Sequence, residues 1–351
     1  MPIETQLPQS GQTSRPVVHR SSDLLKKYAP GLLLCVVAVA IAMSVNMLLP
    51  GVSPLIVAIV LGIALTNVVR LPESTAPGIT LAAKKLLRLG IVFLGLQLVL
   101  SDIISLGVPM LVVIVCIVAG GIFGTLLMGR LLKMRSAQVL LIACGFSICG
   151  AAAVAGVEGV TDSDEEDVVT AVALVVIFGT LMIPVIPLAG QLLGMEAELN
   201  GLWAGGSIHE IAQVVAAGGI IGGGALALAV IVKLARILLL APVVAILSVR
   251  QRRTGNTVAA GGKRPPVVPL FIIGFLIMIV VRSTMDLPDV VLQTGTLLQT
   301  ALLSAAMFGL GCGVKISNLL RVGFRPFILA TASTVLVAGI AFAGIGLVHL
   351  G

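Results

Sequence analysis

The sequence predicts an all-α membrane protein of about eleven transmembrane helices. Two observations carry that class. Of 351 residues, 58% are hydrophobic and 11% charged, and the mean hydropathy is +1.17. The charges also gather in short stretches between long apolar runs. A soluble domain carries about 25% charged residues because its surface faces water. A soluble enzyme is therefore excluded. Spans of about 20 residues with short turns use up this length and leave no room for a separate catalytic domain.

Residues 1–30 are polar and read as a disordered cytoplasmic N-terminal tail; residues 31–351 form one polytopic transmembrane transporter domain. The first apolar run, 31–49, is too long for a signal-peptide core and leads straight into another run, so it stays as a helix. Gly, Pro and charge then bound further spans at 52–69, 81–100, 109–128, 139–156, 168–189, 202–221, 225–249, 267–281, 297–314 and 327–348. Lys84, Lys85 and Arg88 open the third, where they can reach the headgroups. The ninth is short, which suits a tilted or partly re-entrant segment.

The formal charge is +7, and its placement orders the spans. Basic residues precede the first helix and follow the second, fourth, eighth and tenth, the alternate loops of one cytoplasmic face. The opposite loops are neutral or acidic, notably Asp162, Asp164, Glu165, Glu166 and Asp167. This predicts an inside N-terminus and an outside C-terminus, with Arg252 inside and Asp164 and Gly351 outside. The loop of Glu196 and Glu198 is the exception, cytoplasmic without a basic residue. Omitting the seventh span would put the Arg250–Arg264 loop outside, so the seventh is expected to cross. The acidic run has a plain structural role, since carboxylates are favourable at the start of a helix.

Of two internal similarities, one points to an inverted repeat. Residues 86–107 align without gaps to 302–323, in spans predicted to run in opposite directions. GFSI at 145–148 echoes GGSI at 205–208, but those two spans are predicted to run the same way, so the echo does not fit that repeat. Gly120 and Gly124 form a small-xxx-small pair that reads as a packing contact. The cysteines, Cys35, Cys116, Cys144, Cys149 and Cys312, lie inside apolar runs and read as core packers.

The fifth and seventh spans carry the chemistry. Each places Gly and Ser mid-span, where a regular helix gains nothing from glycine. A broken helix there frees backbone N–H groups and points the positive end of a half-helix at an anion. Gly145, Ser147, Cys149 and Gly150 form one candidate break; Gly205, Gly206 and Ser207 form the other. The bland alternative is close packing of small residues between helices. Four ionisable residues interrupt apolar runs, and such groups in lipid are functional candidates by default. Lys233 and Arg236, spaced i, i+3, can jointly meet an anion. Alternatively one of them pairs with Glu210 and locks two helices together. His209 and Gln213 share a helix face, with Glu210 turned away, so His209 and Glu210 are the candidates for proton or other ion coupling. HEIAQ at 209–213 lacks the second His of a zinc-protease helix, and no metal site, cofactor or nucleic-acid partner is expected.

At ACGFSICGAAAVAG (143–156), GGSIHEIAQVVAAGG (205–219) and KLARILLLAPV (233–243), the chain resembles the YeiH-like family of bacterial sulfate exporters. The resemblance runs from about the first helix to the C-terminus. It implies a multi-pass transporter of the bacterial cytoplasmic membrane, distantly like the bile-acid/sodium symporter and sodium/proton antiporter folds. Sulfate as cargo is an inference within the family. Related chains often carry a second small hydroxyl residue near Ala151–Ala153, which this chain lacks. The function expected is secondary transport of a small anion, such as sulfate or an organosulfur or other organic anion. Alternating access, a coupling proton or sodium ion, the lipid bilayer and a homo-oligomer belong to that expectation. The alternatives are an intramembrane enzyme acting on a lipid or peptide, or an anion channel.

Overall fold

The computed structural model describes residues 18–49, 52–253, 270–315 and 323–350. Every regular element among them is helical: α1 Val18–Leu48, α2 Pro54–Val68, α3 Ala76–Leu81, α4 Leu87–Leu94, α5 Leu100–Ser105, α6 Gly107–Leu131, α7 Ser136–Cys144, α8 Ala151–Glu158, α9 Glu165–Leu192, α10 Ala197–Ser207, α11 Ile211–Ile221, α12 Ala225–Leu238, α13 Leu240–Arg253, α14 Leu270–Thr284, α15 Asp289–Gly313 and α16 Phe324–Leu350. Six stretches are long and apolar enough to cross a membrane, within α1, α6, α9, α12–α13, α15 and α16. In a bilayer every backbone polar group must be satisfied within the protein, which selects helices for such a composition.

Local chemistry sets several ends. Ser53 caps α2 through an N–H bond from Leu55, with Pro54 at the first helical position. Glu165, Glu166 and Asp167 fill the first turn of α9, as the acidic run predicts. Three boundaries differ from the expectation. Helix α1 starts at Val18, so residues 18–30 are helical rather than a disordered tail; residues 1–17 lie outside the described part. The third span is broken by a π-helical turn, Ala82–Leu86, and ends in a 3-10 turn, Gly95–Gln97. Four cysteines are buried as expected, but Cys116 is exposed on the apolar outer surface.

The larger correction concerns the fifth and seventh spans, neither of which traverses the fold. Arg135, just before α7, lies 2.6 Å from Asp164 and 3.4 Å from Asp167, beyond α8. Both ends of this segment therefore sit on one face. Helices α7 and α8 form a re-entrant hairpin, with its tip at Gly145–Gly150. In the same way, a Cβ on Gly223, past α11, would lie 3.0 Å from the Cβ of Ala197, which starts α10. Helices α10 and α11 form a second hairpin, with its tip at Ser207–Glu210.

The hairpins enter from opposite faces. Helix α12 starts at the base of the second and runs beside α10 in the same direction, Gly201 facing Ala225 and Gly205 facing Ala229. It passes both tips at Lys233 and Arg236. Beyond them, Leu240 and Val244 of α13 pack on Gly156, near the base of the first hairpin. Helices α6 and α16 pack antiparallel alongside, Gly120 against Ile340 and Gly124 against Leu336, as expected of that small-residue pair. Helices α1–α4, α14 and α15 make a second group, in which α15 lies between α2 and α4. Helix α4 runs antiparallel to α15, Gly90 meeting Leu303 and Ala83 meeting Gly309. These are the spans of the longer internal similarity, whose residues 316–322 lie outside the described part. The GFSI and GGSI echo now joins two tips that face each other, the inverted sense that two traversing spans could not give it.

Candidate functional site

Each hairpin tip ends one half-helix and begins another, leaving carbonyls on one side and N–H groups on the other. The carbonyls are held by the two cations of α12. Lys233 Nζ donates to the carbonyls of Ile148 at 2.9 Å, Ile208 at 2.9 Å and His209 at 2.5 Å. Arg236 donates through Nε to Ser147, through one terminal nitrogen to Gly205, Gly206 and Ile208, and through the other to Phe146 and Ser147, at 2.7 to 3.2 Å. Both side chains are 0% exposed. Cations at helix C-termini meet the negative end of the dipole, so these two pin the first tip to the second. Every Lys233 proton is taken, and the guanidinium is fully engaged. The assignment of Lys233 and Arg236 as direct anion ligands does not fit this geometry. Neither does an ion pair of either with Glu210, since none occurs among the described residues.

Glu210 instead serves the N-terminal ends. Its Oε1 accepts from Ala151 N–H, which begins α8, at 3.0 Å. The same carboxylate caps α11 by accepting from the N–H of Gln213, whose Oε1 accepts in return from Glu210 N–H at 3.1 Å. One carboxylate thus faces the positive ends of two half-helices from opposite hairpins. Gly150 makes room for it. Its φ of +77° is left-handed, and a Cβ there would lie 2.3 Å from Glu210 Cγ.

His209 ties the second tip to α16 and to the first tip. Its Nδ1 lies 3.2 Å from the Phe146 carbonyl and its Nε2 lies 3.1 Å from Thr334 Oγ1. A carbonyl only accepts, so Nδ1 carries a proton in this arrangement. Nε2 then either accepts from the Thr334 hydroxyl or donates to it. In the second case the hydroxyl proton goes to Ala330 O, 2.9 Å away. The Gln213 amide donates to Val176 O at 3.5 Å, anchoring the second hairpin to α9. Ser147 and Ser207, one at each tip, are buried with hydroxyls that have no hydrogen-bond partner among the described residues.

The candidates Gly145, Ser147, Cys149, Gly150, Gly206, Ser207, His209, Glu210, Gln213, Lys233 and Arg236 all lie at or against the two tips. Gly145 and Gly206 act as packing positions, against Val154 and Ala341. Thr334 and Ala151 were missed. Thr334 lies within the hydroxyl-bearing TAST stretch, 331–334, of an otherwise apolar run, a weak signal that was available. Ala151 contributes only its backbone, which no residue pattern marks.

An all-helical, multi-pass membrane protein built around two opposed hairpins is the class that this fold and site define. Residues 30–330 match the family described as conserved hypothetical protein 698, and the chain belongs to that family. It is the YeiH-like family that the tip motifs resemble. The chain is 73% identical to a UPF0324 membrane protein of Corynebacterium glutamicum over 97% of this chain and 98% of that one. It is 36% identical to UPF0324 membrane proteins of Bacteroides thetaiotaomicron, over 79% and 84% of the two chains, and of Pseudomonas aeruginosa, over 87% and 90%. No solved structure matches the chain.

Proposed function

We propose that the protein is a secondary transporter of a small anion, working by alternating access in the bacterial cytoplasmic membrane. The observation that carries this reading is the meeting of two oppositely directed hairpin tips, with Glu210 facing the N-terminal ends of both. Non-helical backbone at membrane depth is tolerated only where it is buried in protein or lines a cavity, and in carriers such breaks are where ligands sit. The uncommitted hydroxyls of Ser147 and Ser207 supply donors at the tips, beside a cluster whose ionised form carries Lys233 and Arg236 against one carboxylate.

The membrane arrangement follows from the hairpins. Counting α2, α3–α4 and α14 as traverses beside the six long apolar stretches in α1, α6, α9, α12–α13, α15 and α16 gives nine among the described residues, alternating in direction. They gather Arg70, Arg130, Arg135, Arg250 and Arg325 on one face, here read as cytoplasmic. The N-terminus is inside and the C-terminus outside. The loop of Glu196 and Glu198 moves outside, and Asp164 moves inside beside Arg135.

Substrate and coupling follow the family's inferred cargo, sulfate or an organosulfur or other organic anion, with Glu210 and His209 exchanging a proton. The test is flux in proteoliposomes at fixed membrane potential. Saturable counterflow of one anion class, steepened by a pH gradient, supports the proposal. Lipid or peptide turnover without flux would move the protein to the enzymes.

A further inference from the structure

A cavity of about 300 Å³ lies between the hairpin-bearing helices and the second helix group. On α8 its wall is Ala151, Ala155 and Glu158, which share one face of that helix. Opposite stand the π-turn residue Lys84 and the stretch from Glu73 to Ala83, with Glu165 of α9 at the side. Its outer end is the face of Glu158 and Glu165, that of Arg135. Its inner end is Ala151, the residue whose N–H holds the Glu210 carboxylate. Glu210 itself is 8% exposed.

The charges lining this route are net negative. Glu73, Glu158 and Glu165 line it against a single cation, Lys84, which pairs with Glu158 at 3.1 Å. An anion entering here would meet carboxylates and, among the described residues that line it, no unpaired cation; a proton would be drawn in. We propose that this cavity is the path by which a proton from the Arg135 face reaches Glu210. The inference rests on Glu210 as the coupling group of the proposed carrier. The charged and titratable groups around Glu210 are His209 in its own tip, Cys149 in the first tip, and Lys233 and Arg236 of α12. The proton passes from water in the cavity to a Glu210 carboxylate oxygen. The charge-assisted bond from Ala151 N–H then becomes a neutral one, loosening the contact between the hairpins.

The experiment uses the full chain in oriented proteoliposomes with the pH of each face clamped separately. The probe is dicyclohexylcarbodiimide, an apolar reagent that modifies protonated carboxyls, with Glu210 modification read by mass spectrometry. With no anion on either side to drive the carrier into its other state, modification is expected to follow the pH of the Arg135 face alone. A bulky thiol reagent attached after folding to Ala155→Cys, in a chain without native cysteines, should slow that response at least tenfold; Ala155→Trp tests the same block genetically. Modification that follows the opposite face, persists unchanged with the cavity blocked, or fails at every pH would overturn the path. So would sodium at constant pH protecting Glu210, which would make the cargo of this route a metal cation. Anion flux on the same vesicles decides the carrier reading separately. A proton-responsive Glu210 without flux of any anion removes the carrier and keeps the path, and flux with an unresponsive Glu210 does the reverse.

Discussion

The guanidinium of Arg135 lies 2.6 Å from the carboxylate of Asp164, across the open base of the first hairpin. A helix crossing the hydrocarbon core would hold its ends about 30 Å apart. Both residues must therefore face the same compartment. Single cysteines at Lys133 and Ser163, in a cysteine-free background, should be labelled by an impermeant thiol reagent from the same side. One at Glu196 should be labelled from the other. Labelling of positions 133 and 163 from opposite sides would restore a traversing fifth span.

Arg236 has a structural task that can be separated from ligand binding. Arg236→Met takes one donor from Phe146 O and Ile208 O, which keep His209 and Lys233, and removes the side-chain donors of Ser147 O, Gly205 O and Gly206 O altogether. Each buried carbonyl left bare costs about 1–3 kcal/mol. Arg236→Lys cannot reproduce the planar fork. Both variants should lower the melting temperature in detergent sharply, Met more than Lys. An Arg236→Met protein as stable as wild type but unable to bind anion would return Arg236 to the ligands.

Glu210→Gln keeps one acceptor oxygen at the place where Ala151 N–H and the cap of α11 converge, so the fold should survive with a smaller loss in melting temperature than Glu210→Ala. The titratable charge is gone. Anion flux in this variant should lose its response to a pH gradient, and a response equal to wild type would exclude Glu210 from coupling. Glu210→Ala leaves both N–H groups without an acceptor and should cost about 1–3 kcal/mol or more in stability.

The second hairpin depends on the glycine row against α12. A Cβ on Gly201 would lie 2.5 Å from Ala225 O, in backbone that cannot move aside. Gly201→Ala should therefore destabilise by about 1–3 kcal/mol, the usual cost of overpacking. A Cβ on Gly219, in α11, meets nothing within 4 Å. Gly219→Ala should be neutral or stabilising, by up to about 1 kcal/mol, because alanine is the better helix former. Chemical unfolding of the two variants in the same detergent compares them directly.

By itself the sequence determined the solvent of this protein, the place of nearly every helix, and the residues that gather at the tips. Apolar run length decides the first two, because a chain with so few charges must turn its surface to lipid. Buried ionisable residues are costly, so His209, Glu210, Lys233 and Arg236 announced themselves. Only the tertiary structure decided direction. A re-entrant hairpin and a crossing helix have the same hydropathy, since hydropathy counts apolar length and is blind to a reversal at Gly150 or Ile208. The alternating basic loops could not expose the error, because two reversals in place of two traverses leave the parity unchanged. What remained visible in the charge pattern was one anomaly, Glu196 and Glu198 in a loop assigned to the basic face, which the first hairpin removes because α9 then carries the chain across. The roles of the charges were also out of reach. Whether Lys233 meets an anion, a carboxylate or a carbonyl depends on which backbone ends lie beside it, and those ends belong to segments far away in the chain.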